Sequence, residues 1–155
     1  MAQQLWLLRH GEAVPHDAAP DFERELTDRG RDQSRAAGRA LSAVEVEVHL
    51  CFTSPKVRAR ETAELACEAL GVEPVDEAVL AEGFDGAAAL DLMRTAGTDQ
   101  RVLVVGHEPD FSQVVYDLTG GRVDFKKGGV AGIRLDGSRG ELIVLLRPRE
   151  TDRIR

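Results

Sequence analysis

Three short apolar runs, each followed at once by residues typical of a turn or a helix start, constrain the fold of this chain most. They occupy residues 5–8, 49–53 and 102–106. Ser54 is a suitable N-cap with Pro55 at the first helical position, and Pro109 suits the same position after the third run. Apolar strands that alternate with helices are typical of a mainly parallel sheet covered by helices. The sequence therefore predicts a three-layer α/β/α fold with a central, mostly parallel mixed sheet.

The remaining segments extend this pattern over a single domain, residues 1–155. The expected helices are one that Thr27 caps and three over about residues 55–70, 84–96 and 109–119. Two late strands are expected near residues 130–135 and 141–147, joined by a hairpin turn at Asp136-Gly137. Residues 12–26 are polar and contain two prolines, which indicates a loop. The arginine-rich residues after Pro148 are expected to fray.

The composition limits the classes of partner. The chain carries 27 acidic and 20 basic residues, a formal net charge of −7 at neutral pH. This balance argues against nucleic acid or an anionic membrane surface as a general partner. No apolar run approaches the length of a membrane span, and the first residues do not resemble a signal peptide. Cys51 and Cys67 lack metal-ligand spacing and are expected to be buried thiols. We therefore expect a soluble cytoplasmic domain.

Chemically reactive side chains follow each of the three apolar runs. Arg9, His10 and Gly11 come directly after the first, Arg58 lies in the helix after the second, and His107 follows the third. Because ligands of parallel sheets bind beyond the carboxyl ends of the strands, we expect these residues to converge on one site. Glycine lets the backbone approach a ligand closely, and helix N-termini favour phosphate. The sequence therefore predicts an anion site built from a local cluster of cations.

Four segments that contain these residues follow one another in a recognisable order. They are Leu8-Arg9-His10-Gly11, Leu26-Thr27-Asp28-Arg29-Gly30, residues 54–63 and Val105-Gly106-His107-Glu108-Pro109. Together they resemble the motifs of the histidine phosphatase superfamily, which implies a phosphoglycerate mutase-like fold. The short chain is most similar to the SixA-type phosphohistidine phosphatases of that superfamily.

The resemblance implies a role for each residue of the predicted site. His10 would be the nucleophile and become transiently phosphorylated, while Arg9, Arg58, His107 and the backbone at Gly11 bind the phosphoryl group. Two guanidinium groups suit this task because they stay charged and bind oxygen atoms bidentately. The same resemblance implies a metal-independent reaction without a cofactor, because the protein already supplies the compensating charge. His10 and His107 could instead be structural, and Arg58 could be a solvated helix residue.

A general acid is harder to identify from the sequence. An enzyme that cleaves a phosphate ester needs a carboxylic acid near the bridging oxygen, since the leaving alkoxide requires a proton. Glu82 is the first candidate, because it follows the short extended piece at Val79-Leu80, roughly where superfamily members that have an acid carry it. The further candidates are Asp21, Asp17 and Glu108. The weak acid motif favours phosphohistidine, whose imidazole leaves readily once protonated.

The size of the chain bears on the substrate. Little sequence remains beyond the core elements to close over a small molecule and exclude water. An open site would accept a phosphohistidine displayed on another protein, so protein phosphohistidine is the predicted substrate. A small phosphomonoester, such as a sugar or nucleotide phosphate, and a noncatalytic phosphate-binding module are the alternatives. Among the other candidates, solvent exposure is expected for Arg60 and, unless it borders the pocket, for Lys56. A structural or exposed position is expected for His16 and His49.

Overall fold

A six-stranded mixed sheet forms the centre of the protein in the computed structural model, which describes residues 2–154. The strands are β1 Gln4–Arg9, β2 Leu50–Thr53, β3 Pro74–Asp76, β4 Arg101–Gly106, β5 Val130–Asp136 and β6 Arg139–Leu146. Their order across the sheet is β3-β2-β4-β1-β5-β6. The first four strands in that order pair in parallel, whereas β5 and β6 are antiparallel to their neighbours. This arrangement confirms the predicted mostly parallel mixed sheet.

The helices cover both faces of this sheet. They are α1 Asp28–Ala43, α2 Val57–Leu70, α3 Gly86–Met93, α4 Asp110–Thr119 and α5 Pro148–Thr151, with short 3-10 turns at Asp21–Glu23 and Ala78–Leu80. Thr27 caps α1 as predicted, because its hydroxyl accepts the Gly30 N–H. Helix α2 ends at Gly71 and α4 at Gly120, both with the left-handed backbone that glycine adopts without strain.

Alternation along the central strands divides the core into two apolar layers. Leu5 and Leu7 of β1 contact the layer beneath α3 and α4, which contains three buried phenylalanines. Trp6 and Leu8 point to the opposite face and pack with α1 and α2. Since successive side chains of a strand point to opposite faces, β1 needs an unbroken apolar run to be buried on both sides. The result is the three-layer α/β/α architecture that the sequence predicts.

Four local predictions differ from the structure. The extended piece predicted at Val79-Leu80 is a 3-10 turn, and the strand of this region lies earlier, at Pro74–Asp76. Helix α3 is shorter than predicted, because residues 94–96 continue it only as hydrogen-bonded turns. Helix α2 begins at Val57 rather than at Pro55, with Lys56 in the capping position. The carboxyl-terminal segment is ordered into α5 instead of fraying. Arg147 and Glu150 bond at the start of α5, which packs beside α1 and buries Thr151.

The topology brings the carboxyl ends of three central strands together. Strands β1, β2 and β4 run in the same direction, so their carboxyl ends lie side by side. The backbone continues this pairing for one residue, since the His10 N–H donates to the Gly106 carbonyl at 3.0 Å. Within residues 2–154, no helix has the length and apolar character needed to cross a membrane.

Candidate active site

A cavity of about 240 Å³ lies at the carboxyl ends of the central strands. Its lining residues are Arg9, His10, Ala13, His16, Asp21, Arg24, Arg58, His107, Glu108 and Lys127. The four side chains predicted to converge, the two arginines and the two histidines, are therefore brought together from three separate strand-to-helix junctions. The rings of His10 and His107 lie 5.2 Å apart between centroids, so both can contact one tetrahedral anion.

The imidazole of His10 is held as a neutral base with its reactive nitrogen available. Its Nδ1 lies 2.7 Å from the Gly11 carbonyl oxygen, which can only accept, so Nδ1 carries the proton. The lone pair then resides on Nε2. Burial lowers the pKa of His10 to about 3. The hydrogen bond to Gly11 opposes this shift, whereas the positive charges of Arg58, Arg9 and Lys127 add to it. A neutral imidazole with a defined tautomer is what a nitrogen nucleophile requires.

Ser54 positions the second histidine. The Ser54 hydroxyl lies 2.8 Å from Nε2 of His107 and also accepts the Lys56 N–H at 3.2 Å. Ser54 therefore does not cap α2 from the position adjacent to Pro55, as the sequence suggested, but orients an active-site side chain. Burial lowers the pKa of His107 to about 3, and the neighbouring His10 and Arg58 act in the same direction. A neutral His107 that accepts the serine proton at Nε2 carries its own proton on Nδ1.

Backbone carbonyls hold the two buried guanidinium groups in place. Arg9 Nη1 donates to the Phe125 carbonyl at 2.7 Å, and Arg58 Nη1 donates to the Asp21 carbonyl at 2.7 Å. Burial lowers the pKa of both arginines, whereas the nearby carboxylates oppose that shift. Both remain cations at neutral pH, since the ordinary pKa of arginine is far above it. Each side chain thus has its orientation fixed before any ligand binds.

Three buried polar atoms of this cavity lack a hydrogen-bond partner among residues 2–154. They are Nε of Arg9, Nε of Arg58 and Nδ1 of His107. Buried polar groups are normally paired, because leaving them unpaired costs about 1–3 kcal/mol each. All three belong to the residues predicted to bind the phosphoryl group. Together with the two guanidinium charges, these unpaired groups make the electrostatics of the cavity favour a small anion.

The backbone of Gly11, predicted to bind the phosphoryl group, instead contacts other segments of the protein. Its N–H already donates to Thr62 Oγ1 at 3.1 Å, so it is not available to a ligand. A Cβ at Gly11 would lie 2.4 Å from the Gly30 carbonyl oxygen, and one at Gly30 would lie 2.0 Å from the Glu12 carbonyl oxygen. The close approach that glycine permits here is therefore between the β1–α1 connection and α1. Gly11 serves to position His10.

Two residues of α2 tie this helix to the same connection. Thr62 donates its hydroxyl to the Arg58 carbonyl at 2.7 Å while it accepts the Gly11 N–H. Glu61 accepts the Leu26 N–H at 3.0 Å. Arg60 faces outward as predicted, paired with Glu64 and Asp76. The residue pattern after Arg58 thus links two active-site segments as well as covering the sheet.

The structure does not bring the first acid candidate to the site. Glu82 is exposed beyond the turn Ala78–Leu80 and is not among the residues that line the cavity, and the same holds for Asp17. Asp21 and Glu108 do line it. These two acidic residues reach the cavity because the 3-10 turn and the start of α4 border the strand ends, which a sequence pattern does not reveal.

Both carboxylates of the cavity are engaged by donors. Partial burial tends to raise the pKa of Asp21, but the bonds from Lys56 and Arg24 and the charge of Arg58 outweigh it and hold the pKa well below its usual range. Glu108 accepts from the Ser112 backbone at 2.7 Å and from the Ser112 hydroxyl at 2.5 Å. A carboxylate whose oxygens already accept hydrogen bonds from other groups is poorly placed to give a proton to a leaving group.

Two cations that line the cavity, Arg24 and Lys127, are not among the predicted site residues. Arg24 is buried and donates to Asp21 and to the Val14 carbonyl, although an arginine in a polar loop is usually solvated. Lys56, expected to face solvent, is not among the lining residues, but only 18% of its side chain is exposed and it lies 3.2 Å from an oxygen of Asp21, which does line the cavity. His16 is exposed, in agreement with the prediction of a structural or exposed position, and it lines the cavity. His49, by contrast, is structural, because its Nδ1 accepts the Arg101 N–H at 2.9 Å.

The depressed pKa of His10 predicts a measurable loss of stability in acid. With a pKa of about 3 in the folded protein and 6.5 unfolded, the unfolded chain binds more protons between these values. Stability therefore rises with pH across this window and falls on acidification. When the pH falls from about 8 to about 5, His10 should lower the free energy of unfolding by about 2 kcal/mol. Urea unfolding at both pH values should show that His10→Gln loses less stability than wild type; parallel losses would contradict the assigned neutral state.

Residues 2–154 contain no group of three or more histidine, cysteine, aspartate or glutamate side chains arranged to hold a metal ion.

Residues 5–88 match the model of the histidine phosphatase superfamily (branch 1). That segment includes Arg9, His10 and Arg58, and His107 lies beyond it.

Known proteins resemble the chain over nearly its whole length. The phosphohistidine phosphatase SixA of Escherichia coli (strain K12) is 34% identical over 87% of each chain. An uncharacterized protein of Picosynechococcus is 32% identical over 94% of this chain and 97% of its own. A solved structure of the protein histidine phosphatase SixA complexed with tungstate, 28% identical, superposes with a TM-score of 0.85 over 95% of this chain and 98% of that one. The chain therefore belongs to the histidine phosphatase superfamily and is of the SixA type.

Proposed function

We propose that this protein hydrolyses phosphohistidine on other proteins through a phosphorylated His10 intermediate, without a metal ion. The observation that carries the proposal is the cavity itself. It combines a neutral His10 with its lone pair on Nε2, the two fixed cations Arg9 and Arg58, and the carboxylate of Asp21, which its cationic neighbours hold as an anion. Membership of the histidine phosphatase superfamily and the similarity to SixA support phosphatase activity; the phosphoprotein substrate is the step proposed here.

The reaction has two displacement steps at phosphorus. In the first, the lone pair of His10 Nε2 forms a bond to phosphorus while the P–N bond of the substrate breaks. The electron pair of that bond stays on the substrate imidazole. In the second step, water attacks the phosphorus of phospho-His10, the electron pair of the P–N bond returns to Nε2, and the proton of the water passes to solvent. The products are inorganic phosphate and an unmodified histidine on the partner.

Arg9, Arg58 and His107 stabilise the transition state of both steps. Negative charge is spread over the equatorial oxygens of the transferring group, so fixed donors contribute most of the catalysis. The unpaired Nε atoms of both arginines and Nδ1 of His107 are the groups that such oxygens would engage. Because Phe125 and Asp21 already orient the guanidinium groups, little reorganisation is needed when the phosphoryl group arrives.

The state of the carboxylates favours phosphohistidine over a phosphate ester. An alkoxide leaving group needs a proton as the P–O bond breaks, and Asp21 and Glu108 are both committed to other donors. A substrate imidazole that is already protonated on its second nitrogen leaves as neutral imidazole. It therefore needs no acid from the enzyme. The arrangement fits cleavage of a P–N bond.

The test compares substrates in a chelator-containing buffer. We expect kcat/KM for a phosphohistidine-bearing carrier domain to exceed that for sugar and nucleotide phosphates by about 100-fold or more, since a missing general acid costs esters about that factor. Phosphate release is the readout. A preference for any of the phosphomonoesters would overturn the proposed substrate. Loss of turnover on chelation would overturn the metal-independent reaction.

A further inference from the structure

A second cleft opens beside the catalytic cavity and is strongly cationic. Its volume is about 480 Å³, and its lining residues are Arg9, Glu12, Arg29, Gln33, Lys126, Lys127, Arg147, Pro148 and Arg149. Arg9 and Lys127 line both cavities, so the cleft adjoins the predicted phosphoryl site. The proposed reaction uses Arg9 but none of the other cations of the cleft. We call this set of residues the basic cleft.

The charge of the basic cleft is opposite to that of the whole chain. Six cations line it against one carboxylate, Glu12, although the protein carries a net charge of −7. Two further carboxylates lie close: Asp124 is 2.9 Å from Lys126, and Glu150 is 2.9 Å from Arg147. Even with all three carboxylates counted, an excess of three positive charges remains. Such a local reversal creates a directed field at the entrance to the site.

Tertiary structure assembles the basic cleft from three distant segments. Arg29 comes from the first turn of α1, Lys126 from the segment before β5, and Arg149 from α5. Tight packing around Gly128 joins these segments, since a Cβ there would lie 3.0 Å from Gln33 and 3.5 Å from Pro148. The Gly128 N–H in turn donates to the carbonyls of Arg9 and His10, both at 3.1 Å. The cleft is thus built onto the same backbone that carries the nucleophile.

We propose that the basic cleft docks an acidic surface of the phosphohistidine-bearing partner protein. The inference rests on the proposed function and adds the surface chemistry of its substrate. A built site for a small anion would bury its cations, whereas the side chains of Arg29, Lys126 and Arg149 are 76%, 57% and 72% exposed. Exposed cations suit a broad protein surface, where they steer association and set orientation more than they hold one oxyanion.

This docking resolves a difficulty that the overall charge creates. An acidic enzyme and an acidic phosphoprotein repel each other at long range, which lowers the rate of productive encounters. A cationic entrance beside His10 reverses the sign of the interaction for approaches that place the phosphohistidine over the cavity. The same field disfavours partners with basic surfaces. Specificity among phosphoproteins would then come from charge around the modified histidine rather than from the phosphoryl group itself.

The experiment uses a triple charge reversal, Arg29→Glu/Lys126→Glu/Arg149→Glu, in the full chain. Its control, Arg94→Glu/Arg134→Glu/Arg139→Glu, makes the same change in net charge with exposed arginines outside the basic cleft. The substrates are an acidic phosphohistidine-bearing carrier domain, the same carrier with the acidic residues around its histidine changed to lysine, and phosphoramidate as a small substrate.

At low ionic strength we expect the triple reversal to lower kcat/KM for the acidic carrier by about 20-fold or more, within the range known for electrostatic steering. The control should change it by less than about 3-fold, and turnover of phosphoramidate, a small anion of low charge, should also fall by less than about 3-fold in either variant. The reversed enzyme should regain activity on the lysine-bearing carrier. Added salt should weaken wild-type turnover of the acidic carrier, which bears many charges, more than that of phosphoramidate.

Other results separate the inference from the proposed function. Equal losses in the triple reversal and its control would overturn the docking surface while leaving the substrate assignment intact. An equal loss on phosphoramidate would show that the cleft binds a small anion, which also overturns it. Hydrolysis of sugar phosphates without turnover of either carrier by wild type would contradict the proposed function, and the docking surface with it.

Discussion

Replacing His10 with alanine is expected to lower kcat for phosphoramidate or a phosphohistidine-bearing carrier by about 10⁴-fold or more, a loss comparable to removal of other enzymatic nucleophiles. Alanine leaves Arg9, Arg58 and His107 in place, so the phosphate should still bind. What is lost is the lone pair at Nε2 that the bond from Nδ1 to Gly11 makes available. Water would then have to attack the phosphorus of the substrate directly, without a covalent phosphohistidine intermediate. The variant should therefore fail in chemistry rather than in binding.

The covalent intermediate gives a second readout of the same variant. Rapid acid-free quenching of wild type with a radiolabelled substrate should trap a phosphoryl group that is stable to alkali and labile to acid, as a P–N bond is. The variant should trap none. His49→Asn is the matched control, because His49 lies before β2 at the opposite end of the strand and asparagine keeps an acceptor for the Arg101 N–H. Burst labelling of the His10→Ala protein would contradict the assignment of the nucleophile.

The pattern of strands and helices could be predicted because one physical rule decides it. Runs such as residues 102–106 are apolar on both faces, and only a strand covered by helices on both sides buries both. The rule that parallel strands end at a common edge then brings Arg9, His10 and His107 together from a single sequence. Arg58 followed from the same rule, since it lies in the first turn of the helix after β2. These residues needed no knowledge of the loops.

The parts that could not be predicted depend on contacts between loops. Ser54 has the sequence signature of a helix cap, and only the position of His107 shows that its hydroxyl serves the site instead. Arg24 is buried because Asp21 and the Val14 carbonyl accept from it, a partnership that no periodicity encodes. Glu82 was placed by analogy with enzymes that carry an acid there, and in this fold its loop leaves it exposed. Local sequence patterns determine helices and strands, whereas these contacts form between residues far apart in the sequence and cannot be read from such patterns.

The second large effect is expected at Arg58. Arg58→Ala should lower kcat/KM by about 10²- to 10³-fold, the usual cost of removing one preorganised donor to transition-state charge. The loss should be large because Asp21 fixes the donor in advance: its carbonyl and carboxylate accept from the guanidinium of Arg58 and hold it at the cavity. Arg58→Lys should recover only part of the loss. An ammonium supplies the charge, but it lacks the planar fork that can contact Asp21 and a phosphoryl oxygen together.

Arg60→Ala is the matched control for this series, because Arg60 lies two positions further along the same helix and pairs at the surface with Glu64 and Asp76. We expect it to change kcat/KM by less than about 2-fold, as exposed ion pairs contribute little. Inhibition by tungstate separates binding from folding: Arg58→Ala should weaken it, whereas a folding defect alone would lower the active fraction without moving the inhibition constant. If tungstate inhibited Arg58→Ala as strongly as wild type, Arg58 would have no direct contact with the oxyanion. The second cation that binds it would then have to be Lys127 or Arg24, which also line the cavity.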